Sequence, residues 1–202
     1  MKTRGKFVGC YDTPSNFRVD MQVKLVLWGP GLSGKTTFLR AIAKLYPHMI
    51  VAGPIELATS EGRTIWEDYL ALQACYRHLS VTFHIYTTTG QRRFLHTREY
   101  VVGGADAILF VADSRGEQIK ENKRSWEELT SILPPVPPPV LVAANKQDLP
   151  GVLSCEDVAS ILHVDEDIVY PTIAREAWGV DEAFKELVRS SLIGEMKPKT
   201  QY

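Results

Sequence analysis

Hydrophobic and polar positions along the chain fall into two alternating kinds of segment. Short apolar runs rich in β-branched residues recur at 23–28, 106–112 and 140–144. Runs of that length without polar alternation are those of strands buried on both faces. Between them lie segments whose apolar residues are three and four positions apart. Phe38, Leu39, Ile42 and Leu45 precede Pro47; Ile119, Trp126, Leu129 and Leu133 fall within 117–133; Phe184, Leu187, Val188 and Leu192 fall within 180–193. That spacing predicts helices with one buried face.

Residues 64–72 and 79–86 alternate as strands do, and the spacer 73–78 allows a hairpin, so these two are expected to be antiparallel. Ser154, with Asp157 three residues on, predicts a capped helix start. A last short strand is expected at 168–170. Residues 46–63 lack periodicity and carry turn signals at Gly53-Pro54 and Ser60-Glu61-Gly62-Arg63. A connection that long inside a compact domain is usually functional. Pro134, Pro135, Pro137, Pro138 and Pro139 make a stiff spacer.

Alternating strands and helices predict an open α/β sheet covered on both faces. The expectation is a mostly parallel six-stranded sheet with one antiparallel strand. Residues 21–195 form the domain, 1–20 a polar N-terminal extension in which only Phe7-Val8 could add a short strand, and 196–202 a tail. There is no internal repeat.

Composition narrows the function without naming it. Of 202 residues 45% are hydrophobic and 23% charged, which supports a globular core. A net charge of −1 argues against a strong electrostatic binder of nucleic acid or membranes. No apolar run approaches the roughly 18 residues of a membrane span. Neither a signal-peptide core nor a lipidation motif is seen, so a cytoplasmic protein without a lipid anchor is expected. Cys10, Cys75 and Cys155 are scattered and are expected to be reduced thiols. The five histidines have no metal-ligand spacing.

Chemistry enters with Gly29-Pro30-Gly31-Leu32-Ser33-Gly34-Lys35-Thr36, which fits G-x-x-x-x-G-K-[ST] between an apolar strand and a helix. Such a P-loop wraps an anion with inward-pointing amides, and the helix that starts there adds its positive dipole end. Pro30 has no N–H to give, so the donors begin at Gly31. The candidate phosphate-binding residues are Gly29, Gly31, Leu32, Ser33, Gly34, Lys35, Thr36 and Thr37. Lys35 supplies a point charge to the β- and γ-phosphates, and the Thr36 hydroxyl is placed to ligate Mg²⁺. The fold expectation becomes a P-loop NTPase three-layer sandwich.

The P-loop does not separate ATP from GTP. Asn145-Lys146-Gln147-Asp148 follows the apolar run 140–144, at the sheet edge where such folds bind ligands. Asp148 can accept from guanine N1–H and the exocyclic amine, a donor pair that adenine lacks, and adenine would leave a carboxylate buried without a partner. Lys146 can lay its stem along the base, and Asn145 can tie this loop to the P-loop.

Together, the P-loop, Thr89-Gly90-Gln91 and Asn145-Lys146-Gln147-Asp148, in this order and spacing, resemble a Ras-superfamily small GTPase. The finer resemblance, carried also by 56–64 and by Tyr86-Thr87-Thr88-Thr89-Gly90-Gln91, is to the bacterial MglA-like branch, which sets cell polarity and gliding motility. It covers roughly residues 22–192. It implies Mg²⁺-dependent hydrolysis of GTP to GDP and phosphate by a monomeric switch. Gln91 would orient the attacking water, Gly90 would bond the γ-phosphate, Thr64 would join Thr36 at the metal, and Arg63 would act as an internal arginine finger. The Ala174 amide would meet the base oxygen. A roadblock/longin-fold regulator is implied as partner.

One departure concerns the metal. Most Ras-like proteins have an aspartate where this chain has Thr87, and the MglA-like branch resembles it in having threonine there. Asp68, between Trp66 and Leu70, is either a solvent-facing acid or a carboxylate lent to the metal or to Lys35. Two other readings stay open: a GTP-binding scaffold that scarcely hydrolyses, and a P-loop ATPase or nucleotide kinase.

Overall fold

The computed structural model describes residues 19–55, 68–88 and 95–195. Seven strands form one sheet: β1 (Val19–Trp28), β2 (Ile50–Ile55), β3 (Tyr69–Tyr76), β4 (Leu79–Thr87), β5 (Ala107–Asp113), β6 (Val140–Asn145) and β7 (Val169–Thr172). Among the described residues five α-helices accompany it: α1 (Lys35–Leu45), α2 (Leu95–Val102), α3 (Ile119–Ile132), α4 (Cys155–Leu162) and α5 (Val180–Glu195). The strand order is β2-β3-β4-β1-β5-β6-β7. β3 is antiparallel to both neighbours, and the other pairings are parallel.

Strand alternation explains the three layers. Val23, Leu25 and Leu27 of β1 face one side, where they join Leu109 and Val111 of β5 under Phe38, Leu39 and Ile42 of α1 and Phe184 and Leu187 of α5. Val26 and Trp28 face the other side, with Ile108 and Phe110, beneath Val101 of α2, Leu129 of α3 and Val158 and Leu162 of α4. The expected mostly parallel sheet with a single reversed strand and helices on both faces is therefore present.

The sheet has seven strands, however, where six were expected. The additional one is β2, inside the stretch without periodicity. Its pairing with β3 shifts register twice, between Ile50 and Ala52 and between Ala52 and Ile55. Pro54 sits in the strand, which only an edge position tolerates readily. The Gly53-Pro54 pair that reads as a turn is thus part of a bulged edge.

The hairpin is also tighter than the spacing implied. β3 runs to Tyr76, which pairs with Leu79, so only Arg77 and His78 turn the chain, Arg77 with φ 55°. The portion of the expected strand before Asp68 lies outside the described residues, as does Phe7-Val8. Cys75 is disulfide-bonded, against the expectation of three reduced thiols, while Cys155 is free. The Ser154 start is a full capping box: the Asp157 amide donates to Ser154 Oγ (3.1 Å), and the Ser154 amide donates to Asp157 Oδ2 (2.9 Å). No helix among the described residues is long and apolar enough to cross a membrane.

β1 is central, and the chain leaves it to one side before returning to the other through β5. That reversal opens a crevice at the carboxyl ends of β1, β5 and β6, where open α/β sheets bind ligands.

Candidate nucleotide site

The loop from Gly29 to Gly34 joins β1 to α1 at this crevice. Its curl comes from residues with positive φ: Gly29 at 147°, Leu32 at 63° and Gly34 at 105°. A Cβ on Gly29 would lie 2.3 Å from the Val111 carbonyl oxygen, and one on Gly34 would lie 2.4 Å from Asn145 Nδ2. Both positions therefore require glycine, for conformation and for space. Gly34 ends the loop and its carbonyl accepts from Phe38 N–H (2.8 Å), so the helix begins at the loop's mouth.

Lys35 is 7% exposed, and its ammonium donates to the carbonyls of Gly29 (2.9 Å) and Pro30 (2.7 Å). It is thereby held across the start of the loop, as a charge fixed in advance. Thr36 Oγ1 donates to Asp68 Oδ2 at 2.5 Å. Asp68 precedes β3 and is 1% exposed, so it is not a solvent-facing acid. The β3–β4 register places it beside Thr87, and the two interlock: Asp68 N–H donates to Thr87 Oγ1 (3.0 Å), Thr87 N–H donates to the Asp68 carbonyl (2.9 Å), and Thr87 Oγ1 donates to Asp68 Oδ2 (3.2 Å). A buried carboxylate with two hydroxyls is a set of hard oxygen donors and suits Mg²⁺.

The base side is built at the end of β6. Asn145 is 2% exposed; its Nδ2 donates to the Ser33 carbonyl (2.8 Å), and its Oδ1 accepts from Ala174 N–H (3.0 Å) and Thr172 Oγ1 (3.3 Å). The Ala174 amide, expected to face the base, is thus engaged with Asn145. Lys146 has φ 74°, and its ammonium donates to the Leu32 carbonyl (2.8 Å) and to Asp113 Oδ2 (2.6 Å). Asp148 is 11% exposed, and Arg175 lies 3.0 Å from its Oδ2. Gly34, Thr37, Asn145, Lys146, Asp148 and Ala174 line one cavity, so the phosphate loop and the base loop share a site.

Arg63, Thr64, Gly90 and Gln91 lie outside the described residues. Sequence reasoning did not single out Asp113, which ends β5 opposite Asn145 of β6. Its signal was available: it is the one charged residue closing an all-apolar run, at the edge where ligands gather. Burial alone would raise its carboxyl, but hydrogen bonds from Arg115 and Lys146 and the charge of Lys146 hold it below the usual carboxylate range.

An anion cradle at a helix start, a fixed lysine, and a downstream carboxylate and asparagine joined to that cradle define a P-loop protein that binds a purine nucleotide. The sequence profile of the Ras family matches residues 24–193. The chain is 31% identical over 176 residues to the Mutual gliding-motility protein MglA of Myxococcus xanthus, covering 84% of this chain and 90% of that protein. It is 27% identical over 186 residues to the Ypt/Rab-type GTPase Rab7 of Gibberella zeae, covering 88% and 86%. It is 34% identical over 88 residues to the human ADP-ribosylation factor-like protein 4A, covering 43% and 44%. The chain belongs to the Ras family, and within it to the MglA-like branch of small GTPases. Proteins of this family bind GTP and GDP, generally with Mg²⁺.

Proposed function

We propose that the chain is a guanine-nucleotide switch that hydrolyses GTP to GDP and phosphate with Mg²⁺, in the control of cell polarity or motility. One observation carries the reading. Asn145 and Lys146 each hold a P-loop carbonyl, Ser33 and Leu32. A carboxylate for guanine and a cradle for phosphates are thus kept at a fixed separation. The name of the Myxococcus xanthus relative supports the motility setting.

The roles divide by charge. Backbone amides from Gly31 to Thr37, with Lys35, bind the phosphates, and Asp148 selects guanine while Lys146 lies along the base. Thr36 and Thr64 would hold Mg²⁺, which would supply positive charge to offset that of the phosphates. Asp68 supplies beside Thr36 the negative charge that Thr87 lacks. Gln91 orients water, Gly90 bonds the γ-phosphate, and Arg63 meets the charge that develops in the transition state. A roadblock/longin-fold protein would speed the reaction by placing Arg63 and Gln91.

Multiple-turnover phosphate release tests hydrolysis: wild type should turn over slowly and Gln91→Ala at least tenfold more slowly. Equal and negligible rates would favour the scaffold reading, for which the threonine at position 87 is the supporting feature. Competition between GDP and ADP for the purified chain tests the base, and preference for ADP would end the guanine reading.

The proposed task of Asp68 has its own measurement. Removing a group that supports a metal ligand typically costs 10–100-fold in metal affinity. In Asp68→Asn, the Mg²⁺ concentration needed to slow GDP release by half should rise by about that factor. An unchanged Mg²⁺ requirement would leave Asp68 as a structural partner of Thr87 only.

A further inference from the structure

We propose that Asp113 is a positioning residue for nucleotide retention. Its buried carboxylate aims the Lys146 ammonium at the Leu32 carbonyl and so couples the base loop to the phosphate loop. The inference rests on the guanine-nucleotide reading above.

The carboxylate is fixed from every side. The Asp113 backbone is clamped to α3: its N–H donates to Asn122 Oδ1 (3.0 Å), and Asn122 Nδ2 donates to its carbonyl (2.7 Å). Its Oδ1 accepts from Arg115 N–H (3.2 Å) and Nε (3.1 Å), and its Oδ2 accepts from Arg115 Nη2 (2.8 Å) and Lys146 Nζ (2.6 Å). The Asp113 side chain is 1% exposed, Lys146 23% and Arg115 35%. The anion is therefore immobile, and the lysine is the member of the pair free enough to need aiming. A lysine is a point charge on a flexible stem. Left alone, it would keep its ammonium in water rather than on one carbonyl.

Leu32 needs that hold. It has φ 63°, a conformation that a leucine adopts only at a cost, and the residue is 70% exposed, so packing does little to fix it. The carbonyl bond from Lys146 restrains a loop residue that its own side chain does not. The next carbonyl, of Ser33, is held by Asn145. Losing the first tie should loosen the cradle and the base loop together.

The geometry also makes the two partners unequal. Without Lys146, Asp113 keeps its Arg115 hydrogen bonds, so Lys146→Met leaves no bare buried charge. Without the Asp113 charge, Lys146 has nothing to direct it. Asp113 should thus act only when Lys146 is present, whereas a carboxylate that merely finishes β5 would act regardless. A double-mutant cycle separates the two cases.

The test is dissociation of a fluorescent N-methylanthraniloyl GDP from wild type, Asp113→Asn, Lys146→Met and the double variant, with Mg²⁺ present. Asp113→Asn should release about tenfold faster than wild type, and the double variant no faster than Lys146→Met alone. Release from Asp113→Asn within twofold of wild type, or effects that multiply in the double variant, would overturn the proposal. If Asp113→Asn does not fold, Asp113→Glu, which keeps the charge but moves it, enters the same cycle under the same criterion. A wild-type chain that takes up no guanine nucleotide overturns the guanine reading and this inference with it. Tight wild-type binding with an indifferent Asp113 variant overturns this inference alone.

Discussion

Asp148→Asn is expected to lower affinity for GDP by about 10²–10⁴-fold and to transfer preference to xanthine nucleotides. A hydrogen bond to a charged group contributes about 1.5–3 kcal/mol, and the guanine edge offers two such donors to this carboxylate. An amide in its place turns one acceptor into a donor, which then opposes a donor of the base. Xanthine carries a carbonyl where guanine carries its amine, so the same amide meets it in matching polarity. The neighbouring charge does not obscure the result, because Arg175 is 65% exposed and loses little when its partner at 3.0 Å is neutralised. Competition of GDP and xanthosine diphosphate for both proteins measures the exchange. Retained GDP preference in the variant would remove Asp148 from base recognition.

Arg63→Ala is expected to lower partner-stimulated GTP hydrolysis by about 10³-fold or more while leaving GDP affinity within about threefold of wild type. Arginine fingers in P-loop NTPases contribute on the order of 10³–10⁵ in rate. The reason for so lopsided an effect lies in what Lys35 already does. Its ammonium is held by the Gly29 and Pro30 carbonyls before chemistry begins, so it favours bound nucleotide and transition state alike. Rate acceleration needs charge that arrives as the bond breaks, and the planar fork of an arginine on a long connection is suited to that. Single-turnover hydrolysis with a saturating roadblock-fold partner, set beside equilibrium GDP binding, reads the two quantities separately. Equal losses in both would make Arg63 a binding residue.

Local patterns made much of this molecule legible. The P-loop and the 145–148 motif are each contiguous, and each follows a mainly apolar run, so sequence alone places them at one sheet edge. What was hidden depends on partners far along the chain. Asp68 stood out as an acid among apolar neighbours, yet its hydroxyl partners are 32 and 19 positions away: Thr36 comes from α1, and Thr87 meets it only once β3 and β4 are in register. Asp113 and Lys146 are 33 positions apart and meet through the pairing of β5 with β6. β2 was missed for a different reason. Glycine and proline announce a turn by their backbone preferences, and a strand at a margin can carry both because its outer amides have no ladder to complete.

That margin has a consequence for how the protein behaves in company. A flat, regular outermost strand would offer a second molecule a ready template for cross-molecular pairing. Here the outermost strand is twice out of step with its neighbour and lacks an amide at Pro54. In a concentrated solution this margin is thereby a poor place for one molecule's sheet to extend into the next.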